Sequence, residues 1–397
     1  VPSRPEWLAR LVAVLVLFAS TLAPTAARAQ AISDAEILGE PTARIHVESI
    51  TTRISGFEQN GLGYQSQAGP VQGPGSERLT VLEPQVEIVA TQGDRLTHRL
   101  WIPFDVVTNA SPNAISRSID VVSSASRHVE GGTLDWSTVY KATPVADVSI
   151  RSGIHLENPF RSWYAGLGAT RAFADQNTVI GGNIVGILDW FDQFDIQGHR
   201  LGRVQRATTT GSVSFTQVLS ASTVATVNYG LTVQQGELGN TWNSVPLADG
   251  TRGAELLPSE RVRHALVGRI AQFLPWNGAL RLYYRFYADD WGIVAHSVEA
   301  LLNQRLSRTL YVGLLYRVHT QTGPYFFTTS APLDATLRVA DSDLAPLQSQ
   351  TFGAKVVGDV PVNGIVRSVH YELEYDRYAR TNDLQMNIVS CALGLRF

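Results

Sequence analysis

Five arginines define the chemistry that this chain could do. Arg281 and Arg285 sit in Leu280-Arg281-Leu282-Tyr283-Tyr284-Arg285-Phe286-Tyr287. In an extended segment successive side chains point to opposite faces, so both guanidiniums share a side with Tyr283 and Tyr287, while Leu280, Leu282, Tyr284 and Phe286 take the other. The same parity places Arg269, Arg305 and Arg317, from the flanking alternating segments, on the polar side as well. Four consecutive strands would then present one basic wall. Glu83, Glu87, Asp105, Asp135, Asp147, Glu372, Glu374 and Asp376 have inward parity on other segments. Opposed rows of charge set ion selectivity in a pore. The alternative is that arginines and carboxylates pair across neighbouring strands and only hold the wall together.

The remaining constellations are weaker. Asp289-Asp290-Trp291-Gly292, with His296 close by, offers adjacent acids that could take a hard cation or activate water. No second acid–base pair stands at a matched position, and a turn whose carboxylates accept backbone N–H bonds explains the spacing more simply. His46, His98, His128, His155, His199, His264, His296, His319 and His370 show no i, i+2 or i, i+4 pairing and no CxxCH. Cys391 is the only cysteine, which excludes an intramolecular disulfide and a cysteine-based zinc site. Neither a cofactor nor a metal nor a catalytic residue is expected, and the protein is read as a non-enzyme. Nucleic acid is not expected either, since 32 basic residues face 35 acidic ones, and only Lys141 and Lys355 are lysines.

These residues need strands to position them. Alternating segments fall near 41–58, 77–90, 95–107, 133–142, 145–156, 160–173, 178–191, 207–219, 223–234, 262–273, 279–289, 293–305, 309–321, 347–358, 365–378 and 384–397. Most are close to the ~10 residues with which a tilted strand crosses a bilayer. Their connections alternate in length: short at 91–94, 143–144, 174–177, 220–222, 274–278, 307–308 and 359–364, and mostly long between, as at 59–76, 108–132, 192–206, 235–261 and 322–346. Barrels of the outer membrane keep short turns in the periplasm and long loops outside. A soluble sandwich would alternate too, but Val389, Cys391, Leu393, Leu395 and a terminal Phe397 share one face, like the insertion signal of outer-membrane proteins. Trp101, Trp136, Trp163, Trp190, Trp276, Tyr140, Phe160 and Tyr378 cluster towards strand ends, as interfacial girdles would.

Two further features concern the loops and the start. Asp105-Val106-Val107-Thr108-Asn109-Ala110-Ser111 is echoed fifteen residues on by Asp120-Val121-Val122-Ser123-Ser124-Ala125-Ser126. The pair suits a hairpin on the outer side, either an inward constriction or a surface extension. Residues 1–29 read as a cleaved signal: Arg4 and Arg10 precede the apolar run Leu11–Ala19, and Ala27-Arg28-Ala29 suits signal peptidase. Without Arg4, Arg10, Arg28 and Glu6 the chain carries 29 basic and 34 acidic residues, a net of −5.

Asp120–Ser126, Phe215-Thr216-Gln217-Val218-Leu219, Ser259–Ala265, Tyr284-Arg285-Phe286-Tyr287-Ala288-Asp289-Asp290-Trp291-Gly292-Ile293 and Asp341-Ser342-Asp343 resemble an uncharacterised family of large Gram-negative outer-membrane β-barrels. The likeness runs from about residue 40 to the end and is most specific at Asp-Asp-Trp-Gly. It implies no activity; for some members it implies association with small lipoproteins and periplasmic redox or flavin-transfer proteins.

The expectation is an all-β, antiparallel, up-and-down transmembrane barrel of about sixteen strands in the outer membrane. A signal peptide (1–29) and a periplasmic segment (30–40) would precede the barrel (41–397). It would act as a porin-like channel for passive passage of small solutes or ions. Pore-lining candidates are Arg269, Arg281, Arg285, Arg305, Arg317, Glu83, Glu87, Glu372 and Glu374. Expected partners are outer-membrane lipid, the barrel-assembly machinery during insertion and a periplasmic lipoprotein or redox protein. The alternatives are a sleeve or anchor for such a partner, and a hydrolase at the rim.

Overall fold

A computed structural model describes residues 44–61, 79–109, 129–195, 199–239 and 243–397. The expected signal peptide, the 30–40 segment, most of the 59–76 loop and the body of the Asp-Val-Val echo lie outside those residues. Every described element is a strand. In chain order they are β1 (Ile45–Gly61), β2 (Leu79–Gln92), β3 (Leu96–Asn109), β4 (Val129–Thr143), β5 (Ala146–Glu157) and β6 (Phe160–Phe173). Next come β7 (Thr178–Phe194), β8 (Arg200–Ser220), β9 (Thr223–Gly236), β10 (Ser244–Pro246), β11 (Arg252–Ala254) and β12 (Glu260–Leu274). The last six are β13 (Gly278–Asp289), β14 (Val294–Arg305), β15 (Leu310–Gln321), β16 (Leu347–Pro361), β17 (Ser368–Arg380) and β18 (Leu384–Arg396).

Sixteen of these strands form one closed antiparallel barrel in sequence order, with β9 beside β12 and β1 beside β18; β10 and β11 make a separate hairpin in the loop between β9 and β12. Closure pairs every edge, which is what a strand needs where no water can satisfy its backbone. All sixteen expected segments are present. The largest difference is at β8, which begins seven residues before its alternating stretch because its outer part, Arg200–Arg206, scatters Leu201 and Val204 on opposite faces among polar residues and carries no periodic signal.

Parity separates inside from outside. Leu134, Ile150, Leu167, Ile184, Val213, Leu266, Val298, Leu314, Phe352 and Leu373 are all exposed, Leu167 and Leu314 to 59%. Leaving apolar surface in water costs about 25 cal/mol per Å². An apolar band shared by successive strands of a closed barrel is the surface of a membrane-spanning barrel. Two glycines let neighbouring rings lie flat across the sheet. Gly153 is opposite Tyr164 and Gly358 opposite Tyr371, and in both places a β-carbon would collide with the phenol.

Candidate functional site

Strand register builds the inner wall into rows. One cross-strand row runs Thr226, Arg269, Tyr283, Glu299, Arg317, each opposite the next in the ladder. The adjacent row runs Val224, Ala271, Arg281, Leu301. Arg285 lies two residues from Tyr283 on the same face, and Arg305 stands at the end of β14 opposite Tyr311. The five arginines therefore share the inner face of β12 to β15. Arg269, Arg281 and Arg305 are exposed there, so water reaches them. The guanidiniums of Arg269 and Arg317 lie 5.5 and 5.8 Å from the Tyr283 ring, and that of Arg285 lies 5.6 Å from Tyr287. Arg317 faces Glu299 at 3.7 Å. Among the described residues, Arg269, Arg281, Arg285 and Arg305 have no carboxylate at ion-pair distance.

The acidic candidates sit differently. Glu87 accepts Arg99 Nε at 2.7 Å, and Glu372 Oε1 accepts both terminal nitrogens of Arg53 at 3.1 Å. Glu83 accepts a bond from Gln85, and Glu374 stands opposite Lys355 in the ladder. Asp135, fully buried, accepts Arg151 Nε at 2.6 Å and the Tyr164 hydroxyl. Glu87, Glu372 and Asp135 thus have arginine partners, whereas Glu374 only faces Lys355 across the ladder and Asp376 Oδ1 has no hydrogen-bond partner among the described residues.

A third set escaped sequence reasoning. Asp189 accepts Arg206 Nε at 2.7 Å, and Arg206 lies 5.4 and 5.5 Å from the rings of Phe160 and Phe191, themselves stacked at 5.3 Å. This corrects the girdle assignment. Phe160 has inward parity, as do Trp101, whose Nε1 donates to Gln85 Oε1 at 3.2 Å, and Tyr378, whose parity is opposite to the exposed Tyr371, Leu373 and Tyr375. Trp136, Trp163, Tyr140 and Trp276 are exposed on the outside.

At the outer rim the Asp289–Gly292 turn is structural. Asp289 accepts Arg261 Nη2 at 2.6 Å, the Tyr287 hydroxyl at 2.7 Å and the Ile293 N–H at 2.9 Å. Asp290 accepts the Val262 N–H at 3.0 Å, and Trp291 Nε1 donates to the Glu260 carbonyl at 3.0 Å. Arg261 stacks on the Trp291 ring at 4.2 Å. Because Arg261, Tyr287 and Asp289 have inward parity, Trp291 leans over the inner side of the rim. There it joins Phe326 and Val339 in a small core packed by Leu238, Leu257, Phe327, Leu337 and Leu344. The loops 237–259 and 322–346 supply that core and bridge each other at Leu247–Ala331 and Leu256–Arg338. Arg380 and Asn382, from the β17–β18 end, hold the second loop through Asp343 and Ser342. At the tip of the β10–β11 hairpin, bonds from the Thr251 hydroxyl and N–H keep the Asp249 carboxyl below the usual range.

No curated protein matches the chain. Solved structures similar to it include a BenF-like porin from Pseudomonas fluorescens Pf-5, 9% identical over 88% of this chain and 99% of that one, with a TM-score of 0.45. The outer membrane protein opdK from Pseudomonas aeruginosa is 8% identical over 90% and 100%, with a TM-score of 0.43. Residues 185–388, just over half of the chain, match the family described as "Protein of unknown function (DUF3570)", and the protein belongs to that family.

Proposed function

We propose that the barrel is an outer-membrane channel for passive passage of small solutes or ions, with a preference for anions. The observation that carries this reading is the basic wall itself: five arginines on four consecutive strands with one carboxylate, Glu299, among them, while Glu372, Glu87 and Asp135 elsewhere are ion-paired to Arg53, Arg99 and Arg151. A sixteen-stranded barrel is wide enough for water, and uncompensated charge lining such a lumen concentrates counter-ions. The carboxylates at the rim are taken up by backbone N–H groups and Arg261, which favours passage over hydrolysis. The closed, apolar exterior supports the membrane, and the alternation of short and long connections supports placing the Trp291 rim outside the cell.

Planar-bilayer recording of the refolded chain under a salt gradient tests this. The wild type is expected to conduct with a reversal potential on the anion side, and Arg281→Ala/Arg285→Ala to move it towards cations. A folded barrel that stays electrically silent would sink the channel reading.

A further inference from the structure

The two rows around Tyr283 enclose a recess of about 600 Å³ on the lumen side. Its upper edge is Thr226, Arg269, Tyr283, Glu299 and Arg317; its lower edge is Val224, Ala271, Arg281 and Leu301. Both observations matter for what would fit. Arg269 and Arg281 are diagonal neighbours across the β12–β13 ladder, roughly 7–8 Å apart at their bases, and neither has a carboxylate partner among the described residues. On both sides of Arg281 the wall turns apolar, with the small Ala271 and then Val224 on one side and Leu301 on the other.

We propose that this recess binds a small monocarboxylate with a compact apolar body, an inference that rests on the water-filled lumen of the channel reading. The carboxylate would lie between Arg269 and Arg281, where planar guanidiniums give paired, charge-assisted bonds. The hydrocarbon would cover Ala271 and Val224 beside the Tyr283 ring. A hydrated inorganic anion has nothing to offer that floor. A dicarboxylate would bring its second charge towards Glu299, which already holds Arg317 at 3.7 Å.

Calorimetric titration of the full chain, refolded in detergent micelles, with phenylacetate tests the site without needing a current. Saturable binding is expected. Arg281→Ala should weaken it about tenfold or more, the loss of one charge-assisted pair. Ala271→Phe, which fills the floor and changes no charge, should weaken it comparably. Acetate and phenylacetamide, each lacking one half of the ligand, should bind at least about tenfold more weakly. The inference is overturned if acetate or inorganic phosphate binds as tightly as phenylacetate, or if Ala271→Phe titrates like the wild type. Should Arg281→Ala not fold, as read by heat-shifted gel mobility, the ligand series and Ala271→Phe still decide. Binding by a barrel that never conducts keeps the recess and removes the channel; anion-selective conductance without saturable binding removes the recess alone.

Discussion

At Gly358 the Tyr371 ring occupies the place where a β-carbon would stand. Gly358→Ala should therefore push the phenol off the sheet and cost about 1–3 kcal/mol, the usual range for overpacking. Urea unfolding of the barrel in lipid vesicles would read the loss, and Gly358→Ala/Tyr371→Leu should recover most of it; an unchanged midpoint for the single variant would mean the ring does not lie there. At this scale the sequence was legible wherever a rule acts on one strand at a time. Alternation has a period of two, so the inward parity of Arg281, Arg285 and Arg317 could be read without knowing their neighbours. Trp101 and Phe160 face inward because parity, and not closeness to a strand end, fixes the side a strand residue takes. The partners of the acids were legible only across a short hairpin, as for Glu87 with Arg99 and Asp135 with Arg151; Arg53 meets Glu372 across 319 positions, and only register brings them together.

Among the elements, the outer loops differ most from expectation. The stretch 235–261 reads as a loop, yet it contains the β10–β11 hairpin, and its Leu238 and Leu257 join Phe326, Val339 and Leu344 in a core with Trp291. No periodicity announces such a core because its members are drawn from three separate segments, two of them loops with no alternating pattern. Trp291→Ala removes the centre of that cluster, a change of about 3–5 kcal/mol in a well-packed site, while leaving the β12–β15 ladder intact. The expected result is a barrel that still resists heat on a gel, is nicked by protease between residues 322 and 346, and shows a larger, noisier unit conductance. Wild-type protease resistance in the variant would mean that the loops are held by Arg380, Asn382 and the strand ends instead.

For the molecule as a whole, strand number and alternation of loop length were legible, since lipid thickness and sidedness act on every hairpin alike. A chain ending before β18 should give no heat-resistant barrel, because β1 and β17 would both be left with unpaired backbone in lipid; a folded band for that truncation on the gel would contradict the observed ring order. The seam that such a truncation removes joins residues far apart in the chain, with Ser390 Oγ bonding Ser55 Oγ at 2.9 Å across 335 positions. Chain entropy grows only as the logarithm of loop length, so bringing those positions together costs about 5 kcal/mol, not many times the cost of a hairpin. Distance is therefore a modest obstacle and timing the larger one. Until the last strand arrives, the sheet has two open edges, each able to template another chain, so the protein is most at risk of aggregation in the interval before its ends meet.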